Sequence, residues 1–248
     1  MSFSRRQVLA AMATSAITGR AETGGTAVKL VVLDTGGTII QDRGDVPEAM
    51  IDACGHHGIR ITPEDVAPLR GASKREVVRR FVDQRAPKGA DRDKLVEAIY
   101  AEFNAQVIAA YKNVPPIEGV EDAFREMRKA GLLLVGSTGF GREVADSIYQ
   151  RLKWQEHFVA VITGDDVTMG RPAPFIIFHA MEASKVFRLA EVIAVGDTPL
   201  DLQAASNAGV RGVGVLSGAG TREKLQAEKP AVILKSVAEL PQWLKTLG

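Results

Sequence analysis

From Val28 onward the chain alternates between two hydrophobic patterns. Short apolar runs, rich in β-branched residues, occur at Val28–Leu33, Leu132–Val135, Val159–Ile162, Val192–Val195, Val213–Leu216 and Val232–Leu234. Runs of this kind read as strands buried on both faces of a parallel sheet. Between them, apolar residues recur at helical spacing: Val120, Ala123, Phe124 and Met127, then Val144 to Leu152, Phe175 to Met181, and Leu202 to Ala208. Strand, helix, strand, helix implies an α/β fold with a doubly wound parallel sheet. In such sheets ligands sit beyond the carboxyl ends of the strands.

The rhythm breaks between Asp45 and Val114. This stretch holds no strand-like run, and its patterns are helical over Glu48–His56, Lys74–Phe81 and Leu95–Tyr111. Val114-Pro115-Pro116 closes it as a stiff linker. The expected organisation is a core made of residues 28–44 and 115–248, with residues 45–114 inserted as a helical unit. Residues 1–27 stand apart. Ser4-Arg5-Arg6-Gln7-Val8-Leu9, followed by the small-residue stretch Ala10–Thr18, resembles a twin-arginine (Tat) export signal. That reading implies an exported, periplasmic protein. The alternative is a frayed basic tail or a misplaced start, and a cytoplasmic protein.

Composition narrows the function classes. Hydrophobic residues are 46% and charged residues 25%, which excludes a wholly disordered chain. The net charge of +1 gives no sequence-wide electrostatic case for nucleic acid or anionic lipid. The lone Cys54 excludes an internal disulfide and any multi-cysteine metal site; on the apolar face of its helix it reads as packing. No apolar run approaches the roughly 20 residues that span a bilayer.

Four strand ends carry polar residues. Asp34-Thr35-Gly36-Gly37-Thr38 places a carboxylate and a glycine loop after the first strand, a geometry suited to phosphate. Gly136-Ser137-Thr138-Gly139 supplies hydroxyls. Gly164-Asp165-Asp166 leads to Gly170-Arg171-Pro172, a cation near a helix start. Val195-Gly196-Asp197-Thr198-Pro199-Leu200-Asp201 brings two carboxylates around a strand-to-helix turn. Singly, each has a bland reading: a turn residue, an N-cap, a solvated charge, a helix-start acid. At one sheet edge they supply a nucleophilic carboxylate, hydroxyl donors, a fixed cation and two further acids for a hard metal. That set suits phosphoryl transfer, in which Asp is an established covalent acceptor.

The order Asp34-x-Gly36-Gly37-Thr38, Ser137, Arg171-Pro172, Gly196-Asp197-Thr198-x-x-Asp201 resembles the haloacid dehalogenase (HAD) superfamily over about residues 28–240. The resemblance implies a Rossmann-like core, Asp34 as nucleophile, and Mg²⁺ held by Asp34, the Gly36 carbonyl and Asp197, with Asp201 supporting. It implies Ser137, Thr138 and Arg171 as phosphate-binding residues, Asp165 or Asp166 near the metal, and the insertion as a cap. Most phosphatases of this superfamily carry a second Asp where this chain has Gly36. That acid is worth about 10²–10⁴-fold for an alkoxide leaving group. A carbon leaving group delocalised through an imine does not need it.

Gly36 therefore points to the phosphonatase branch, phosphonoacetaldehyde hydrolase and its relatives, which use a cap lysine as a Schiff base. Here Leu69-Arg70-Gly71-Ala72-Ser73-Lys74 places Lys74 three residues after the cap glycine, as in that branch. Arg70 stands where an apolar residue is expected, and Val77 where the branch carries histidine. Lys74 has two plainer readings, a phosphate-binding cation or a solvated helix-start residue. His56 and His57 read as C-cap residues rather than ligands. The expected function is a Mg²⁺-dependent phosphonatase-like hydrolase of a small phosphonate or related phosphoryl compound, acting through an aspartyl-phosphate. The alternatives are a phosphomonoester phosphatase lacking the usual acid, and a catalytically inactive binding protein of the same fold. The partner is a small phosphorylated or phosphonate substrate, with a homodimer as an open alternative.

Overall fold

A computed structural model describes residues 27–247. The twin-arginine segment lies almost wholly outside the described residues. Six parallel strands form one sheet in the order β3-β2-β1-β4-β5-β6: β1 (Leu30–Asp34), β2 (Leu133–Ser137), β3 (Ala160–Ile162), β4 (Val192–Gly196), β5 (Arg211–Val215) and β6 (Val232–Leu234). Every residue of β1 is buried, as its unbroken apolar run requires. Leu30 and Val32 face the layer formed by α7 (Phe175–Ser184) and α8 (Pro199–Ala208), whereas Val31 and Leu33 join the larger core on the other side. That core takes in α5 (Val120–Lys129) and α6 (Arg142–Arg151), anchored by the Phe124, Tyr149 and Trp154 rings. Two short helices, α9 (Arg222–Ala227) and α10 (Leu240–Leu244), follow β5 and β6.

Most strand boundaries differ from the sequence pattern by a residue or two, and two of these shifts carry physical content. β2 runs on through Ser137, so the hydroxyl-bearing residue ends the strand in register with Asp34 of β1. β5 starts at Arg211, before its apolar residues. Gly212 and Gly214 weaken the strand pattern, yet a Cβ at either would press on Leu202, Ala205 or Leu225 of the covering helices. Close helix–sheet approach thus selects the residues that hide the start of the strand from a hydrophobicity scan.

Between β1 and α5 the chain is helical: α1 (Asp45–His56), the single turn α2 (Pro63–Val66), α3 (Lys74–Arg85) and α4 (Arg92–Tyr111). Their shared core holds Met50, Cys54, Phe81, Ile99 and Phe103, all buried. Asp91 caps α4 by accepting from the Lys94 amide at 3.1 Å, which sets the start of this long helix. His56 and His57 end α1 but pair with the two oxygens of Glu102 on α4, which ties the helices together. Among the described residues no helix is long and apolar enough to cross a membrane.

Candidate active site

Parallel pairing aligns the strand ends, and the site follows from that alignment. Asp34 sits opposite Ser137, and β4 ends at Gly196, one residue before Asp197. Arg171, on the loop after β3, is buried against them. Its Nη1 donates to Asp34 Oδ1 at 2.6 Å and pairs with Asp201 Oδ1 at 2.5 Å; its Nη2 donates to Ser137 Oγ at 2.9 Å. Asp201 has two duties. One oxygen faces Arg171, and the other accepts from the Thr198 hydroxyl (2.6 Å) and amide (3.0 Å), closing the capping box that starts α8. Asp197 accepts from the Ala219 amide at 2.7 Å and the Thr38 hydroxyl at 3.2 Å. The second glycine of the loop is dictated by this packing. Gly37 has φ of +78°, and a Cβ there would lie 2.6 Å from Asp197 Oδ2.

Asp34, Asp197 and Asp201 are all buried, with oxygens within 4.8 Å of one another. Burial pushes the Asp34 carboxyl up to about 6; the Asp201 charge adds to this and the Arg171 charge opposes it. Burial also holds the Asp197 carboxyl well above its ordinary 3.8, reinforced by Asp34 and Asp201. Three enclosed carboxylates against one guanidinium leave negative charge uncompensated. All-oxygen donors with excess negative charge suit a hard divalent cation, so these residues fit Mg²⁺.

The insertion completes the site. Lys74 opens α3, and its amide donates to the Gly139 carbonyl at 2.8 Å, docking the insertion loop on the core. Gly71 makes this contact possible: its φ is +87°, and a Cβ would meet Thr198 Oγ1 at 2.5 Å. Lys74 is only 8% exposed. Its Nζ donates to the Ala72 carbonyl at 2.9 Å and lies 5.4 Å from the Phe140 ring centroid. Burial lowers its amine from 10.5 to about 8; Arg171 adds to this, and the three site carboxylates oppose it. The solvated-surface reading of Lys74 is thereby excluded. A cavity of about 70 Å³ separates insertion from core, lined by Asp34, Arg171 and Lys74 and by Met50, Tyr111 and Phe140.

The other candidates fall into place around this cavity. Gly36 lines it, and so does Thr138, whose Oγ1 accepts from the Phe140 amide at 3.1 Å. Asp165 and Asp166 stand apart from the acidic cluster. Asp165 accepts from the Tyr100 hydroxyl at 3.2 Å and pairs with Arg75 at 3.5 Å, so it tethers the insertion to the core. Asp166 caps the Thr163 turn and pairs with Arg142. Arg70 has a local partner, Asp42 at 3.2 Å, and Val77 lines the cavity as an apolar wall. The sequence pattern singled out neither Tyr111 nor Phe140. Both are buried, and both line the same cavity as Asp34.

The sequence profile described as haloacid dehalogenase-like hydrolase matches residues 31–215. Phosphonoacetaldehyde hydrolase of Bacillus cereus (strain AH187) is 30% identical over 207 residues, covering 77% of this chain and 76% of that one. Its Bacillus cytotoxicus counterpart is 26% identical over 227 residues, covering 86% and 84%. The crystal structure of a phosphonoacetaldehyde hydrolase-like protein from Oleispira antarctica is similar with a TM-score of 0.76 at 20% identity, covering 90% of this chain and 93% of that one; this likeness concerns the fold alone.

Proposed function

Since the chain belongs to the haloacid dehalogenase-like hydrolase family, on its phosphonatase-like branch, we propose that it cleaves the carbon–phosphorus bond of a small phosphonate aldehyde. The observation that carries this reading is the position of Lys74. A buried amine, lowered to about 8, lines the same small cavity as the Asp34 carboxylate. An amine near that value is partly neutral at physiological pH and can attack a carbonyl. In this reading residues 45–114 are the cap and residues 28–44 with 115–248 the core.

Lys74 Nζ adds to the aldehyde carbon, and loss of water leaves a protonated imine. Asp34 Oδ attacks phosphorus, and the carbon–phosphorus electron pair passes into the imine to give an enamine, so the leaving group needs no acid at Gly36. Protonation of the enamine carbon and hydrolysis of the imine release the aldehyde and restore the amine. Water then cleaves the aspartyl-phosphate. Arg171 and Ser137, joined at 2.9 Å, hold the phosphoryl oxygens, with Thr138 beside them. Mg²⁺, held by Asp34, Asp197 and Asp201 with the Gly36 carbonyl, would supply charge neutralisation at those oxygens.

Borohydride reduction during turnover of phosphonoacetaldehyde tests the reading. The expected result is an irreversible adduct on Lys74, located by peptide mass spectrometry, with loss of activity. Turnover without an adduct would remove the imine route. Phosphate release from sugar phosphates at ordinary kcat would then favour a phosphomonoester phosphatase. Export of the full-length chain through residues 1–27 belongs to the same proposal and is checked by cell fractionation.

A further inference from the structure

The cavity holds one polar group that the chemistry above leaves unused. Tyr111 is the last residue of α4, where the chain turns back from the insertion to the core. It is 2% exposed and lines the cavity with Asp34 and Gly36. Its ring meets the Phe140 ring edge-on, with centroids 5.8 Å apart, which fixes the ring plane. Three hydroxyl side chains line the cavity. Thr198 donates to Asp201, and Thr138 accepts from the Phe140 amide. The Tyr111 hydroxyl has no hydrogen-bond partner among the described residues. Nor is it sealed in: among the described residues the one side-chain polar atom with neither partner nor access is Asn104 Oδ1. A buried phenol normally finds a partner, so the cavity is where its partner belongs.

Burial pushes the phenol far above its ordinary 10, with Asp42, Asp45 and Asp34 adding to the effect. Tyr111 is therefore a neutral donor at any working pH. The same acidic surroundings disfavour a second anion on the substrate, and the nearby Arg70 is already matched by Asp42.

From this we infer that Tyr111 donates a hydrogen bond to a neutral oxygen on the non-phosphoryl end of the substrate. Tyr111 thus sets the specificity of the cavity for small phosphonates that carry such an oxygen. The inference rests on the phosphonate reading of the site and names the tail that the site selects. No proton is transferred in this role; the bond orients the tail while Asp34 and Arg171 hold the phosphoryl end.

Two unreactive probes differing by one oxygen test it, with Mg²⁺ present: 2-hydroxyethylphosphonate and ethylphosphonate, titrated calorimetrically into wild type and Tyr111→Phe. The variant keeps the ring and removes only the hydroxyl. Wild type should prefer the hydroxylated probe by about ten-fold, the worth of one buried hydrogen bond. In Tyr111→Phe that preference should vanish while ethylphosphonate affinity stays the same. An unchanged preference in the variant would overturn the role of Tyr111. A phosphonoacetaldehyde assay on the same wild-type sample separates the two readings. A Tyr111-dependent preference without turnover would refute the proposed reaction and leave the specificity role standing. Failure of wild type to bind either probe would overturn the role of Tyr111, and failure to bind together with absence of turnover would refute both.

Discussion

Replacing Lys74 with methionine should make the protein more stable and inactive. The amine falls from 10.5 to about 8 on folding. At about 1.4 kcal/mol per pH unit, keeping it protonated in the folded state costs ~3 kcal/mol. The sign follows from proton counts. Between about pH 8 and 10.5 the unfolded chain holds the proton and the folded chain does not, so wild-type stability rises with pH through that window. Below pH 8 both states are protonated and the full cost is present. Lys74→Met keeps a long unbranched side chain but has no proton to carry. Its loss of the 2.9 Å bond to the Ala72 carbonyl is a constant of about 1 kcal/mol, independent of pH. Urea unfolding of both proteins from about pH 7 to 10.5, without substrate, isolates the ionisation because other groups titrate alike in the pair. The variant's advantage should shrink by ~3 kcal/mol as pH rises across the window, and phosphonoacetaldehyde turnover should be lost throughout. A stability difference that stays flat over that range would refute the reasoning.

Gly71→Ala puts a Cβ at φ +87° and 2.5 Å from Thr198 Oγ1; it should cost about 1–3 kcal/mol by urea unfolding and lower kcat/KM at least ten-fold, because Lys74 opens the helix that this loop leads into. Without metal, Asp197→Asn should raise the thermal midpoint, since the buried carboxylate it removes is held well above its ordinary value; adding Mg²⁺ should then stabilise wild type but not the variant, read by calorimetry. With substrate far below KM, kcat/KM for phosphonoacetaldehyde cleavage should rise with pH up to about 8, where the amine of Lys74 in the free enzyme becomes neutral; a kcat/KM that falls over the same range would mark the ammonium, not the amine, as the working form.

The sheet and the phosphoryl end of the site were legible because both are local. Short apolar runs end in Asp34, Ser137 and Asp197, and parallel pairing obliges such ends to meet at one edge. The cavity's other wall was not legible. Tyr111 and Met50 carry the helical spacing of core residues, Phe140 stands between two loop glycines, and nothing in a sequence distinguishes a ring packed in a core from one facing a 70 Å³ cavity. Asp165, which the resemblance offered with Asp166 as an acid near the metal, instead contacts Tyr100 and Arg75 on the insertion, partners that no local pattern could indicate. Arg70, out of pattern by sequence, is explained by Asp42, twenty-eight residues earlier in the chain.

Closure and chemistry depend on the same contacts. Lys74 is lowered chiefly because it is buried, and it is buried because its amide reaches Gly139, Gly71 fits against Thr198, and Asp165 holds Tyr100 and Arg75. If the insertion lifts away, water reaches the amine, its ordinary value near 10.5 returns, and at neutral pH it is an ammonium that cannot attack a carbonyl. On the proposed imine route, the nucleophilic form of Lys74 would therefore exist in quantity only while the insertion is docked. The groups that dock it would then act on the rate through the protonation state of a residue they do not all touch.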